Sequence, residues 1–126
     1  MQRVYKKMII LGHKLIKFEP FYFIDTLSDV VKFDNLLFEF NENLVEKALN
    51  KSFSIIANNV TEVVLSNAFG AKFIIINDKS LVKEAANLAE HYLFDSKITL
   101  IIEDESELKE AINLRVDAVI FRKAIK

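Results

Sequence analysis

The chain has 126 residues, a length that is ordinary for one domain with one hydrophobic core. Its 52% hydrophobic and 28% charged residues are typical of a globular protein, and a net charge of -1 gives no basic surface for nucleic acid or anionic lipid. Because the chain has no cysteine and no apolar run near the ~20 residues of a membrane span, we expect a cytoplasmic protein with no disulfide and no membrane partner.

The first twenty residues allow two interpretations. Val4, Met8, Leu11 and Leu15 have the spacing of one helix face, whereas Met8 to Leu11 taken alone predict a strand that turns at Gly12. Both alternatives stay open at this level. Residues 1–20 are therefore an N-terminal element of uncertain structure within one expected domain, residues 1–126.

Short apolar runs, most followed by Asp or Asn and then by residues with helical spacing, indicate repeated strand-helix units. Five runs predict strands over 21–24, 36–40, 53–57, 72–76 and 97–102, and residues 117–121 predict a sixth without a following helix. Because runs such as 73–76 show no polar alternation, we expect helices on both faces of the sheet. The expected fold is α/β, with a mostly parallel sheet of five to six strands in a flavodoxin-like or Rossmann-like doubly wound arrangement.

Several helix limits have clear signals. Residues 81–92 form an apolar stripe that includes Tyr92 beside a charged stripe, which predicts an amphipathic helix. Asp104 with Glu107 predicts a capping box at the start of the last helix. Gly70 predicts the end of the helix before the fourth strand, because glycine takes the left-handed conformation freely.

The scarcity of glycine and histidine excludes several sites. Gly12 and Gly70 are too far apart to build a phosphate loop, a dinucleotide fingerprint or a hydrolase elbow. His13 and His91 lack the spacing of a zinc-binding pair, and they are expected to be a turn residue and a solvated surface residue. We therefore expect no cofactor, no bound metal and no catalytic residue, although enzymatic activity stays open.

Polar residues follow the predicted strands at their carboxyl ends, the edge where ligands of open α/β sheets bind. The candidate ligand-binding residues are Asp25, Asn41, Asn58, Asn77, Asp78, Lys79, Glu103 and Asp104, and Arg122 lies at the same expected edge. The functional interpretation is a phosphate or divalent-cation site with carboxylate oxygen ligands. The alternative is helix capping, which is worth roughly 1 kcal/mol per residue without any ligand and has the greater weight at each single position.

Residues 60–69 are apolar around more of their helix than one buried stripe requires. Val60, Val64, Leu65 and Phe69 are candidate interface residues for a homodimer or for another protein partner. The first functional hypothesis is a non-catalytic protein-interaction or regulatory module in the cytoplasm. The second is a small enzyme or sensor that binds a phosphate or divalent-cation ligand at the carboxyl edge of the sheet.

Two stretches resemble known families. Residues 101–108, Ala111-Ile112 and then Asp117-Ala118-Val119-Ile120 resemble one β-α-β unit of phosphate-binding (βα) barrels of the indole-glycerol-phosphate synthase type. Arg115-Val116 stand where that family usually has glycine, and the rest of the barrel is missing, so the resemblance implies topology and no activity. Residues 67–95 resemble a small uncharacterised bacterial α/β family, which implies no activity either.

A receiver domain of similar size is the other comparison. Such a domain has an acidic pair after its first strand and a phosphoacceptor aspartate after its third. This chain has Asp25-Thr26 and Asn58-Asn59 at those places. The comparison therefore leaves an inactive, receiver-like interaction module as a possibility and gives no support to phosphotransfer.

Overall fold

The computed structural model describes residues 7–125, which form one sheet of seven strands with four α-helices. The strands are β1 (Ile9–Leu11), β2 (Tyr22–Phe23), β3 (Leu36–Glu39), β4 (Phe53–Ile56), β5 (Phe73–Ile76), β6 (Lys97–Ile102) and β7 (Ala118–Phe121). The helices are α1 (Glu42–Ala48), α2 (Val60–Phe69), α3 (Lys79–Tyr92) and α4 (Leu108–Asn113). Short 3-10 helices cover Leu27–Val31, Glu105–Glu107 and Arg122–Ala124.

All strand pairs are parallel, in the order β1-β7-β6-β5-β4-β3-β2. The predicted α/β class and mostly parallel sheet are confirmed. The sheet has seven strands in the described part of the chain instead of five to six, because the N-terminal element adds β1 beside β7. The strand interpretation of Met8 to Leu11 is thus confirmed, and Gly12 turns the chain with φ +96°. Val4, on which the helix interpretation drew, lies outside the described residues.

Side chains of the strands alternate between two apolar clusters on opposite faces of the sheet. Leu36, Ile74 and Leu100 belong to the cluster that also contains the buried residues of all four helices. Leu37 and Ile75 belong to the other cluster, to which none of the four α-helices contributes and which includes Ala124 of the last 3-10 helix. The expected helical layers on both faces are therefore corrected to one layer. The strands also follow one another from β2 to β7 without the reversal that a doubly wound sheet has.

The second face is buried because the sheet curls on itself. Phe21, directly before β2, forms a parallel bridge with Ile125, which follows β7. Its ring packs edge-on against Phe73, with the centroids 5.7 Å apart, and Phe21 is 1% exposed. The strands lack polar alternation because one face packs under helices and the other packs across the inside of the curl.

The predicted helix limits are largely confirmed. Asp104 and Glu107 form a capping box, although the turn that it starts is 3-10 and α4 begins only at Leu108. Gly70 ends α2 with φ +92°. The helix over 81–92 is α3, but Tyr92 in its last turn is 67% exposed and does not join the buried stripe. Between residues 7 and 125, no helix has the length and apolar character needed to cross a membrane.

Candidate functional site

The carboxyl ends of β5, β6 and β7 share one polar network. Arg122 donates from Nε to Glu103 Oε1 at 2.5 Å and from Nη2 to Asn77 Oδ1 at 2.9 Å. These residues meet because β5, β6 and β7 are neighbours in the sheet and run in the same direction. Of the candidate ligand-binding residues, the structure therefore brings Asn77 and Glu103 together through one guanidinium.

Other candidate residues cap helices. Asn41 caps α1 and Asp78 caps α3, and each side chain accepts two backbone amides at distances between 2.8 and 3.3 Å. Asp104 accepts a hydrogen bond from the hydroxyl of Ser106 and another, at 2.8 Å, from the backbone amide of the same residue. These two bonds, the hydroxyl first, lower the pKa of Asp104 below its ordinary value. Capping thus accounts for the place of these three side chains without a ligand.

Lys79, at the start of α3, is paired with α4. Its ammonium bonds to Glu110 and lies 4.0 Å from Glu107 Oε1. The hydrogen bond to Glu110 raises the pKa of Lys79, and the negative charges of both glutamates add to the effect. Lys79 therefore ties the first turn of α3 to α4.

The remaining candidates lie apart from this network. Asp25 and Asn58 are exposed, and the backbone amide of Asn58 donates a hydrogen bond to the carboxylate of Glu62 at 2.9 Å. Within residues 7–125, no side-chain hydrogen bond or ion pair joins Asp25, Asn41 or Asn58 to Arg122, whose partners are Glu103 and Asn77. Within the same residues, no three histidine, aspartate or glutamate side chains form a group that could hold a metal ion. The polar edge therefore combines local helix caps with the Asn77, Glu103 and Arg122 network and the ion pair of Lys79 with Glu110.

A small cleft of about 230 Å³ lies where β1, β6 and β7 end. His13 Nδ1 accepts the amide of Leu15 at 3.1 Å, so the ring hydrogen is on Nε2, which donates to Glu105 Oε1 at 2.7 Å. The ring packs edge-on against Phe121 at 6.0 Å, and Lys123 Nζ lies 5.7 Å from the same phenyl ring. His13 thus stabilises the turn after β1, the role expected of it.

A larger cavity of about 660 Å³, the α3–α4 groove, lies near the amino ends of β1, β6 and β7. Its walls include Ala86, Ala89, Leu93 and Phe94 on the α3 side and Ile112 and Val116 on the α4 side. Leu93 is 84% exposed and Ile112 is 61% exposed. Glu90, Arg115 and Asp117 also line it. The groove is therefore a mostly apolar surface with charged residues on its walls, at the end of the sheet opposite to the polar edge.

The helices α2, α3 and α4 end in the same way. In each, a backbone amide donates to the carbonyl five residues earlier: Ala71 to Ser66, Phe94 to Ala89 and Val116 to Ala111. The residue before each donor has a positive φ, and these residues are Gly70, Leu93 and Arg115. Glycine takes that conformation freely, whereas other L-residues lose roughly 1–2 kcal/mol. Both of the costly residues lie at the α3–α4 groove.

The candidate interface on α2 is largely occupied by packing within the protein. Val60 and Phe69 pack against the core, and Phe69 stacks on Phe40 with ring centroids 6.2 Å apart. Leu65 is half-buried, and Val64 is 43% exposed. The broad apolar surface of α2 therefore serves the core in large part. The sequence did not lead us to predict the groove. The available signal was that no glycine follows residue 92 at the end of α3, so that a residue other than glycine has the positive φ there.

Comparison with known proteins assigns no function to this arrangement. No family model matches the chain, and no curated protein matches it. What this chain does is therefore inferred from the geometry of its polar edge, cleft and groove.

Proposed function

We propose that this chain is a non-catalytic, cytoplasmic interaction module whose α3–α4 groove receives apolar side chains of a protein partner. The observation that carries the proposal is Leu93. It lines an apolar groove, it is 84% exposed, and it occupies a backbone position where glycine is less costly. Strain that is kept at an exposed apolar side chain is typical of a functional contact.

The charges beside the groove define what the partner presents. Glu90 Oε1 and Arg115 Nη1 are 4.0 Å apart, and both side chains are mostly exposed. A matching protein surface therefore carries an apolar anchor with one basic and one acidic group next to it. Contacts of this kind place the apolar anchor in the centre and the charges at the edge.

The polar edge gives less support to the second hypothesis, a phosphate or cation ligand. Arg122 is the cation best placed for an anion there, but Glu103 and Asn77 already accept from it. An incoming phosphate either displaces the Glu103 carboxylate from Arg122 or is repelled by its negative charge. Asp78 and Asp104 already accept hydrogen bonds from the first backbone amides of their helical turns, so each carboxylate is engaged without a ligand.

Selection of short random peptides displayed on phage tests the proposal. We expect enriched peptides to share an apolar residue beside charged ones, and we expect their amide chemical-shift changes to map to the α3–α4 groove. Ala89→Trp fills the groove and should abolish binding, whereas Ala68→Trp, at an exposed site on α2, should leave it unchanged. Ile112→Ser is a milder variant that should weaken binding.

Two outcomes contradict the proposal. One is a selection that enriches no peptide. The other is enrichment of peptides whose shift changes map to the polar edge around Arg122 and persist in Ala89→Trp.

A further inference from the structure

We infer that the partner received by the α3–α4 groove is a second copy of this chain, an inference that rests on the proposed function. The groove and the exposed side chain of Leu93 lie side by side on one surface. In a twofold contact the same patch of each copy faces the other. Each Leu93 can then enter the groove of the other copy and contact Ala89 and Val116.

The charges beside the groove fit a twofold contact. Glu90 and Arg115 are 68% and 73% exposed, and their 4.0 Å separation makes only a loose pair within one copy. A twofold axis that passes between these two side chains places Arg115 of each copy opposite Glu90 of the other, so that opposite charges face each other across the contact. A net charge of -1 adds little repulsion between copies.

Gly70 is an internal reference for the conformational cost of the positive φ at Leu93. It ends α2 with the same hydrogen-bond pattern, and nothing lies within 4 Å of the Cβ that a larger residue would add there. At the end of α2, where no neighbouring atom would contact a side chain, the residue with positive φ is therefore glycine. At the end of α3 the equivalent residue is Leu93. In a twofold contact two Leu93 side chains, one from each copy, are buried.

Sedimentation of the purified chain over a concentration series tests the inference, because it measures the dissociation constant of a dimer. We expect a monomer-dimer equilibrium with a dissociation constant on the order of 1–100 µM, because a contact centred on one groove is small. Leu93→Gly should weaken the dimer at least about 100-fold, since each of two leucine side chains loses roughly tenfold or more when its burial is removed. It should not lower the melting temperature of the monomer, because glycine is favoured at this φ.

Matched variants locate the contact. Ala89→Trp, which fills the groove, should also weaken the dimer, and Val64→Ser on α2 should leave its dissociation constant unchanged. A dimer that survives Leu93→Gly and Ala89→Trp, or that only Val64→Ser disrupts, overturns the inference by moving the interface elsewhere.

The inference and the proposed function fail in different ways. A chain that stays monomeric throughout the series, while selected peptides still bind the groove, overturns the second copy as partner and leaves the interaction module standing. A monomeric chain whose groove also binds no peptide overturns both.

Discussion

Replacing Gly12 with alanine tests how β1 is held against the segment that follows β7. A Cβ at Gly12 would lie 2.6 Å from the Cβ of Ala124 and 3.3 Å from that of Phe121. The residue also has φ +96°, where an L-residue is strained. Strain alone costs roughly 1–2 kcal/mol and is offset by about 0.4–1 kcal/mol from the stiffer unfolded chain. Overpacking adds about 1–3 kcal/mol, so Gly12→Ala should lower the free energy of unfolding by about 2–4 kcal/mol.

Gly70→Ala is the matched control. Gly70 has nearly the same φ, +92°, but nothing lies within 4 Å of its added Cβ. Only the strain applies, and we expect a loss of about 1 kcal/mol or less. Urea unfolding followed by circular dichroism measures both variants, with the slope of the transition as a check that each still unfolds in one step.

A second-site change isolates the steric part. Ala124→Gly removes the nearest atom, so the double variant Gly12→Ala with Ala124→Gly should be more stable than the sum of the single effects by about 1–3 kcal/mol. Equal losses in Gly12→Ala and Gly70→Ala, or strictly additive effects in the double variant, would refute the close approach of β1 to the Arg122–Ala124 turn.

Three further predictions concern single polar contacts. Asp78→Ala removes the cap of α3 and should cost about 1 kcal/mol in urea unfolding, while Asp78→Asn should stay within a few tenths of wild type. Lys51→Met removes the ammonium that donates to two backbone carbonyls at 2.7 and 2.8 Å, and it should cost about 1–2 kcal/mol in the same assay. Ser106→Ala should raise the pKa of Asp104 towards its ordinary value in a carboxyl NMR titration; an unchanged pKa would contradict the hydroxyl contact. Because that pKa is lowered in the folded chain, the stabilisation by Asp104 is present above the pKa of the unfolded chain and is lost as the pH falls through the folded value.

The strands were predictable because each is a short apolar run with turn residues at its ends. What covers each face of the sheet could not be predicted in the same way. Runs such as Phe73 to Ile76 show that both faces are buried, but they do not show what buries them. The second face closes through the bridge between Phe21 and Ile125, a contact between residues far apart in sequence that no local pattern encodes. The three residues of β1 are likewise too short a run to separate strand from helix without the pairing of β1 with β7.

The candidate site was predictable in position only. Asp and Asn after a strand are a signal for capping and a signal for ligand binding at once, because both use the same oxygen atoms near the same free amides. Asp78 and Asp104 are caps, whereas the Asn77, Glu103 and Arg122 network and the Lys79–Glu110 pair join residues far apart in sequence. The groove depends on the space left between α3 and the short α4, which neither helix specifies alone.

Phe21 tests whether the curl of the sheet is a structural requirement. It is 1% exposed and touches both Phe73 and Ile125, whereas its neighbour Tyr22 is 41% exposed and stacks on Phe33 at 4.9 Å. Phe21→Ala should cost about 3–5 kcal/mol, and Tyr22→Ala about 1 kcal/mol. In Phe21→Ala, amide hydrogen exchange should accelerate in β7 as well as in β2, because the bridge joins the two regions. Acceleration confined to β2 would mean that the bridge does not hold the sheet closed, and that the inner apolar cluster is stable without it.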